Sequence, residues 1–167
     1  MNLDTSVIQR LRDALVQQGY VSDAPPMSSS IGGDVEHRAE TLERFTPFAE
    51  TMFLVAIADG DQDPDEMAAL RGAMQILTAN QISEDVLIDI YQRCQHDVSE
   101  MGLEACLERI GLRLSVDRLD RETAFTLAAA VALADNRVDR AETALMRSIA
   151  EYLGISSTAS RRLLDNF

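Results

Sequence analysis

Two stretches of the sequence match each other residue by residue: VAIADGDQDPDE at positions 55–66 and VALADNRVDRAE at positions 131–142. Each reads as the end of an apolar helix, an Ala-Asp pair, a Gly or Asn, a second Asp, and a Glu three residues after that second Asp. A duplicated helical hairpin is the simplest explanation of a match in constant register. The sequence therefore predicts an all-α fold, a compact bundle of about seven to eight helices with an internal pseudo-two-fold duplication.

Helix capping explains half of this motif without any ligand. Asp63 and Asp139 are placed as N-caps, and Glu66 and Glu142 complete capping boxes three residues later. Pro64 suits the first position of a helix, where its missing N–H costs no hydrogen bond. For these four acidic residues a capping role and a ligand role both stay open.

The first aspartate of each copy has no such explanation. Asp59 and Asp135 follow apolar helices, and a carboxylate at a helix C-terminus faces the negative end of the helix dipole, at a cost of about 0.3–1 kcal/mol. The same unfavourable choice at two equivalent places indicates compensation by a cation or by an arginine. Asp and Glu oxygens without Cys or His suit a hard ion such as Ca²⁺, Mg²⁺ or Mn²⁺. In the second copy, Arg137 or Arg140 offers the alternative of an ion pair.

Apolar periodicity and capping signals divide the rest of the chain into helices. No strand alternation of any length is present after position 34. The first expected helix is 4–18, the second ends at 58–59 with Pro47 near its start or kinking it, and the third is 64–79. The next three run from Ser83 to 95, from Ser99 to 114, and from a cap at Asp117 or Asp120 to 134. The last two are 140–153 and, after a Ser156 cap, 157–165.

The chain divides into three parts by composition. Residues 1–20 are predicted to form an amphipathic helix, residues 21–33 a Pro-, Ser- and Gly-rich linker, and residues 34–167 the helical domain. The apolar stripe of the first helix needs a partner surface, either the domain itself or another molecule.

Charge and composition exclude several functions. With 15 basic and 28 acidic residues the net charge is −13, so a nucleic acid is not expected as a partner. No apolar stretch is long enough to cross a bilayer and no signal peptide is visible, which predicts a cytoplasmic protein without direct membrane insertion. Cys94 and Cys106 are expected to be reduced thiols in the core. No catalytic motif is present; His37 is expected at the surface and His96 partly buried, and the chain is not expected to be an enzyme.

The repeated Ala-Asp-Gly/Asn pattern, with an Asp and a Glu at the start of a new helix, resembles the TerB-type tellurite-resistance and TerB-like family over roughly residues 45–153. The resemblance implies a duplicated helical fold whose acidic turns come together, and a non-enzymatic, divalent-cation-binding role in a bacterial stress system linked to tellurite. It also implies partner proteins, membrane-associated stress proteins among them, and leaves a homo-oligomer open. The alternative is a metal-free helical protein-protein interaction domain. The metal ligands that the resemblance implies are Asp59, Asp63, Glu66, Asp135, Asp139 and Glu142.

Overall fold

The computed structural model describes residues 8–10, 12–13, 16, 33–59, 64–78, 82–132 and 140–165, with side chains except at 33–38, 41, 59, 64–69 and 140–142. Every regular element in these ranges is α-helical, so the predicted all-α class is confirmed. The helices are α1 (Gly33–Asp59), α2 (Pro64–Leu77), α3 (Glu84–Met101), α4 (Leu103–Arg113), α5 (Arg118–Ala132), α6 (Arg140–Tyr152) and α7 (Ser157–Leu164).

Helices α1 and α5 form the centre of the bundle and pack on each other more extensively than any other described pair. From Phe45 to Ala56, every α1 residue except Glu50 is buried, and from Thr123 to Ala132 every α5 residue except Thr126 is buried. A helix that is apolar on all sides belongs inside a domain and not at its surface. The alanine side chains of α5 are small, so the larger side chains of α1 can fill the space between the two helices.

The other helices surround this pair. Helices α3 and α4 form a hairpin that packs on α1, while α6 and α7 pack on α5. Among the described residues, four ion pairs join separate helices: Arg71–Glu84 at 3.4 Å, Arg109–Asp97 at 2.6 Å, Arg113–Glu50 at 2.7 Å and Arg162–Glu122 at 3.5 Å. The outer helices therefore carry one apolar face and one polar face, as surface helices do.

The N-terminal segment contacts the domain's own core. Residues 8–10, 12, 13 and 16 are helical, Ile8 is 2% exposed, and Val16 packs half-buried against the core. The domain is thus the partner surface of the apolar stripe at these two positions. The predicted linker lies outside the described residues apart from Gly33, the first residue of α1.

Most predicted helix ends are confirmed within a few residues, and one is wrong. No helix begins at Ser99, because α3 continues to Met101 and the break comes at Gly102. Gly102 has a φ of +84°, a left-handed conformation that glycine adopts without the strain of a Cβ. Ser99 and Glu100 are therefore exposed residues of the last turn of α3 and not a helix start.

Two predicted caps are present as hydrogen bonds. Asp117 Oδ1 accepts from the Leu119 N–H at 2.8 Å, which makes Asp117 and not Asp120 the cap of α5. Ser156 Oγ accepts from the Ala159 N–H at 3.2 Å and caps α7. Ser83 precedes α3 as expected, but its side chain makes no capping bond.

Candidate functional site

The first acidic turn begins where α1 ends. Asp59 is the last residue of α1, so its predicted position at a helix C-terminus is confirmed. No basic residue lies in the last turn of this helix. An arginine within the same turn therefore does not offset the unfavourable interaction of Asp59 with the helix dipole.

The helix that follows each acidic turn begins at the same position of the repeat. Helix α2 begins at Pro64, directly after Asp63, and α6 begins at Arg140, directly after Asp139. Glu66 and Glu142 are consequently the third residues of their helices, as the aligned sequences predict. In each copy, a buried stretch of helix leads towards the turn and a new helix starts immediately after the second aspartate.

The carboxylates themselves lie outside the described part of the molecule. Asp63, Asp135 and Asp139 fall in the undescribed ranges, and so do the side chains of Asp59, Glu66 and Glu142. The same holds for Arg137 and for the side chain of Arg140. Convergence of the two turns and the pseudo-two-fold duplication therefore remain predictions. Among the described side chains, no group of three or more His, Cys, Asp or Glu residues forms a metal site.

A second polar cluster, which the sequence interpretation missed, lies where α1, α3 and α4 meet. Glu50 on α1 is only 14% exposed and accepts a 2.7 Å hydrogen bond from Arg113 Nη1 on α4. Pro47 has no N–H, so the Glu43 carbonyl lacks the helix donor that it would have in a regular turn. Arg113 Nη2 donates to that carbonyl at 3.5 Å. The Arg113 guanidinium thus donates to two acceptors on α1, and one of these is the carbonyl that Pro47 leaves without a helix donor.

The electrostatics of this cluster are dominated by burial. Burial raises the pKa of Glu50, although the nearby charges of Arg113, Arg109 and Arg93 act in the opposite direction. Burial, together with the negative charge of Glu50, raises the pKa of the Cys94 thiol to about 12. Cys94 and Cys106 are both buried and free, so the predicted reduced core thiols are confirmed. A thiol held protonated in this way is a poor nucleophile and a poor metal ligand.

The sequence carries a signal for this cluster. Glu50 is the only charged residue between Phe45 and Ile57, and Pro47 lies three residues before it. A lone carboxylate in an apolar helix requires a buried partner, and a proline inside a helix leaves a carbonyl to be satisfied. The position of the partner on α4, however, depends on the tertiary packing.

Two further observations concern the surface. His96 is exposed on α3, so the expectation that it is partly buried is wrong. Its position lies in the polar face of α3, away from the stripe that contains Leu87, Ile90 and Cys94.

Leu112 and Val116 are large apolar residues with exposed fractions of 69% and 94%.

Comparison with known proteins gives one result. A family model described as "Tellurite resistance protein TerB" matches residues 49–165, which includes the whole of the second acidic turn and all of the first. Searches of curated proteins and of solved structures found no match. No helix in the described part of the chain has the length and apolar character needed to cross a membrane.

Proposed function

Since the chain belongs to the TerB family of tellurite-resistance proteins, we propose that it is a non-enzymatic module of a bacterial stress system that binds a divalent cation at its acidic turns. Ca²⁺, Mg²⁺ and Mn²⁺ are the favoured ions, because the donor set contains only oxygen. The cation-dependent state of the domain would be passed on to partner proteins. The proposed ligands are Asp59, Asp63, Glu66, Asp135, Asp139 and Glu142.

The position of Asp59 at the end of α1, together with the matching starts of α2 and α6 after the two turns, is the observation that supports this proposal. Asp59 ends α1 without a basic residue in the same turn, and Glu66 and Glu142 occupy the same position in α2 and α6. Capping accounts for a carboxylate at a helix start, but it gives no reason for one at a helix end. A bound cation would offset the dipole at the end of α1 and would connect that end to the start of α2.

The direct test is a calorimetric titration of chelator-stripped protein with Ca²⁺, Mg²⁺, Mn²⁺ and Zn²⁺. We expect saturable binding of at least one of the first three ions and a rise in melting temperature. A ligand at 100 times its Kd stabilises the folded state by about 2.7 kcal/mol. Zn²⁺ should bind more weakly, since the turns offer no Cys or His.

The variant Asp59→Asn, Asp135→Asn removes one carboxylate from each turn and should abolish the binding heat. Its matched control is Asp89→Asn, Asp165→Asn, which removes the same charge from two exposed positions, one in α3 and one directly after α7. Loss of binding in the first variant alone supports the proposal. Equal binding by both variants, or no response of the native protein to any ion, would reject it.

The single variants Asp59→Asn and Asp135→Asn show which of the two acidic turns binds the cation. If Arg137 or Arg140 neutralises the second turn, Asp59→Asn alone should abolish binding and Asp135→Asn should leave the Kd unchanged. If both turns hold one shared ion, each single variant should weaken binding. The stoichiometry from the same titrations separates a shared ion from two independent ions.

A metal-free interaction domain is the second candidate, and the exposure of Leu112 and Val116 favours it. Leu112 lies near the end of α4 and Val116 in the turn that follows it, and exposed large apolar side chains are the kind of surface that protein contacts cover. In this case the double variant Leu112→Ser, Val116→Ser should abolish self-association or partner binding, while the melting temperature of the domain stays unchanged. Deletion of the N-terminal helix is a less specific test, because Ile8 belongs to the core.

A further inference from the structure

A groove of about 680 Å³ runs between α6 and α7, and the last residue of α5, Ala132, lies at its wall. Pockets of 300–1,000 Å³ are typical of sites for small organic ligands. The floor is apolar and is formed by Met146 and Ala150 of α6, Ile155 of the connecting loop and Leu164 of α7. Met146 and Ala150 are only 7% and 6% exposed, so the floor is part of the core surface.

The rim of the groove carries two arginines on facing helices. Arg147 belongs to α6 and Arg161 to α7, and both line the groove with exposed side chains. Neither guanidinium has an ion pair within the described ranges, whereas Arg109, Arg113 and Arg118 each bind a carboxylate at 2.6–2.8 Å. In a chain of net charge −13, two such arginines beside one apolar groove are a local reversal of charge.

The polar lining is suited to an anion of modest size. Glu151 is the single acidic residue among the described lining residues, so two arginines and one glutamate leave this lining with a charge of +1. Ser157 and Ser160 add hydroxyl groups at the same rim. Twelve described residues form the groove, fewer than the 20–30 residues per side of a typical stable protein interface.

We propose that this groove binds a small amphiphilic anion, an unbranched apolar chain that ends in a carboxylate. The chain contacts Met146, Ala150 and Leu164, and the carboxylate binds Arg147 and Arg161. Guanidinium groups are well matched to carboxylates, which accept two parallel hydrogen bonds from them. None of the described lining residues is a proposed metal ligand, so anion binding can be tested without a cation.

Titration with decanoate in the presence of a chelator tests the proposal. Decanoate, below its micelle-forming concentration, should bind saturably at one site and raise the melting temperature. Decan-1-ol should bind at least tenfold more weakly, and decylamine should not bind, since the two arginines repel an ammonium group. Absence of saturable decanoate binding, or equal affinity for decanoate and decylamine, would overturn the proposal.

Variants locate the binding site. Arg147→Gln, Arg161→Gln should weaken decanoate binding at least tenfold, whereas the control Arg44→Gln, Arg93→Gln removes two exposed arginines outside the groove and should leave the Kd unchanged. Methyl NMR supplies a readout that does not depend on a substitution. Of the seven methionine methyl signals, that of Met146 should shift with decanoate. Binding that both double variants retain, or that leaves Met146 unshifted, places the anion elsewhere and contradicts the proposal.

Discussion

The backbone of α4 at Gly111 lies directly against the backbone carbonyl of Tyr152 in α6. A Cβ at Gly111 would overlap the Tyr152 oxygen and would lie 3.0 Å from its carbonyl carbon. Both contacted atoms belong to the backbone, so no side-chain rotation relieves the overlap. The absence of a side chain at Gly111 is what allows α4 and α6 to approach this closely.

Gly111→Ala should therefore destabilise the domain. Overpacking of this kind costs about 1–3 kcal/mol, and chemical denaturation at pH 7 measures it. Gly72→Ala is the matched control, because a Cβ at Gly72 in α2 meets no atom of the described residues within 4 Å. Alanine there should stabilise the helix by about 0.5–1 kcal/mol. Equal effects of the two substitutions would contradict the close approach of α4 and α6.

Arg113→Gln should destabilise the domain by about 1–3 kcal/mol, since it leaves the half-buried Glu50 carboxylate and the Glu43 carbonyl without their donor. Arg161→Gln serves as a control of equal charge, because Arg161 has no ion pair in the described part of the chain. Its free energy of unfolding should stay within about 0.5 kcal/mol of the native value. An Arg113 variant as stable as this control would show that the guanidinium adds nothing to the packing of α4 on α1.

The raised pKa of Glu50 predicts a pH dependence of stability. The ordinary pKa of a glutamate is 4.5, and burial makes the folded state bind the proton more tightly than the unfolded state does. The contribution of Glu50 to the free energy of unfolding should therefore fall as the pH rises from 4.5 through the folded-state pKa and should level off above it.

Glu50→Gln removes this contribution, while the other carboxyl groups titrate as before. The stability of the variant relative to the native protein should thus be greater at pH 7.5 than at pH 4, as measured by urea denaturation at several pH values. A difference that is constant over this range would mean that the pKa of Glu50 is not raised on folding.

The two thiols should be inert in the folded protein. A pKa of about 12 for Cys94 leaves roughly one thiolate in 10⁴ molecules at pH 8, and Cys106 is buried as well. Dithiobis(nitrobenzoic acid) should titrate no thiol in buffer and two thiols in guanidinium chloride. Ser99→Cys places a third thiol at an exposed position of α3 and should react at once, which confirms that the reagent is active. Fast reaction of the native cysteines would contradict their burial.

The sequence was sufficient to predict the helices because their signals are local. Pro64 at a helix start, the Ser156 cap and the acidic residues at the start of α3 each act within one turn. Ser99 misled the prediction because a Ser-Glu pair in a last turn has the same composition as one in a first turn. Helix α3 ends at Gly102, where φ is positive. The residue types before Gly102 do not indicate this conformation.

The polar contacts between helices were not predictable in the same way. Glu50 and Pro47 indicate that α1 needs a donor, but Arg113 is 63 residues from Glu50 and becomes its partner only when α4 packs on α1. Arg147 and Arg161 likewise come together only because α6 and α7 form one groove. The motif at positions 55–66 and 131–142, in contrast, is apparent as a repeat from the order of its residue types alone.

The burial of α5 on nearly all sides has a consequence for the motions of the domain. An amide hydrogen in a helix without a solvent-facing side exchanges with water mainly when the surrounding helices separate, so residues 123–132 should exchange at the rate of global unfolding. In the sequence, the second acidic turn follows this helix. A cation bound at that turn would slow exchange along α5 by the same factor by which it lowers the unfolded population.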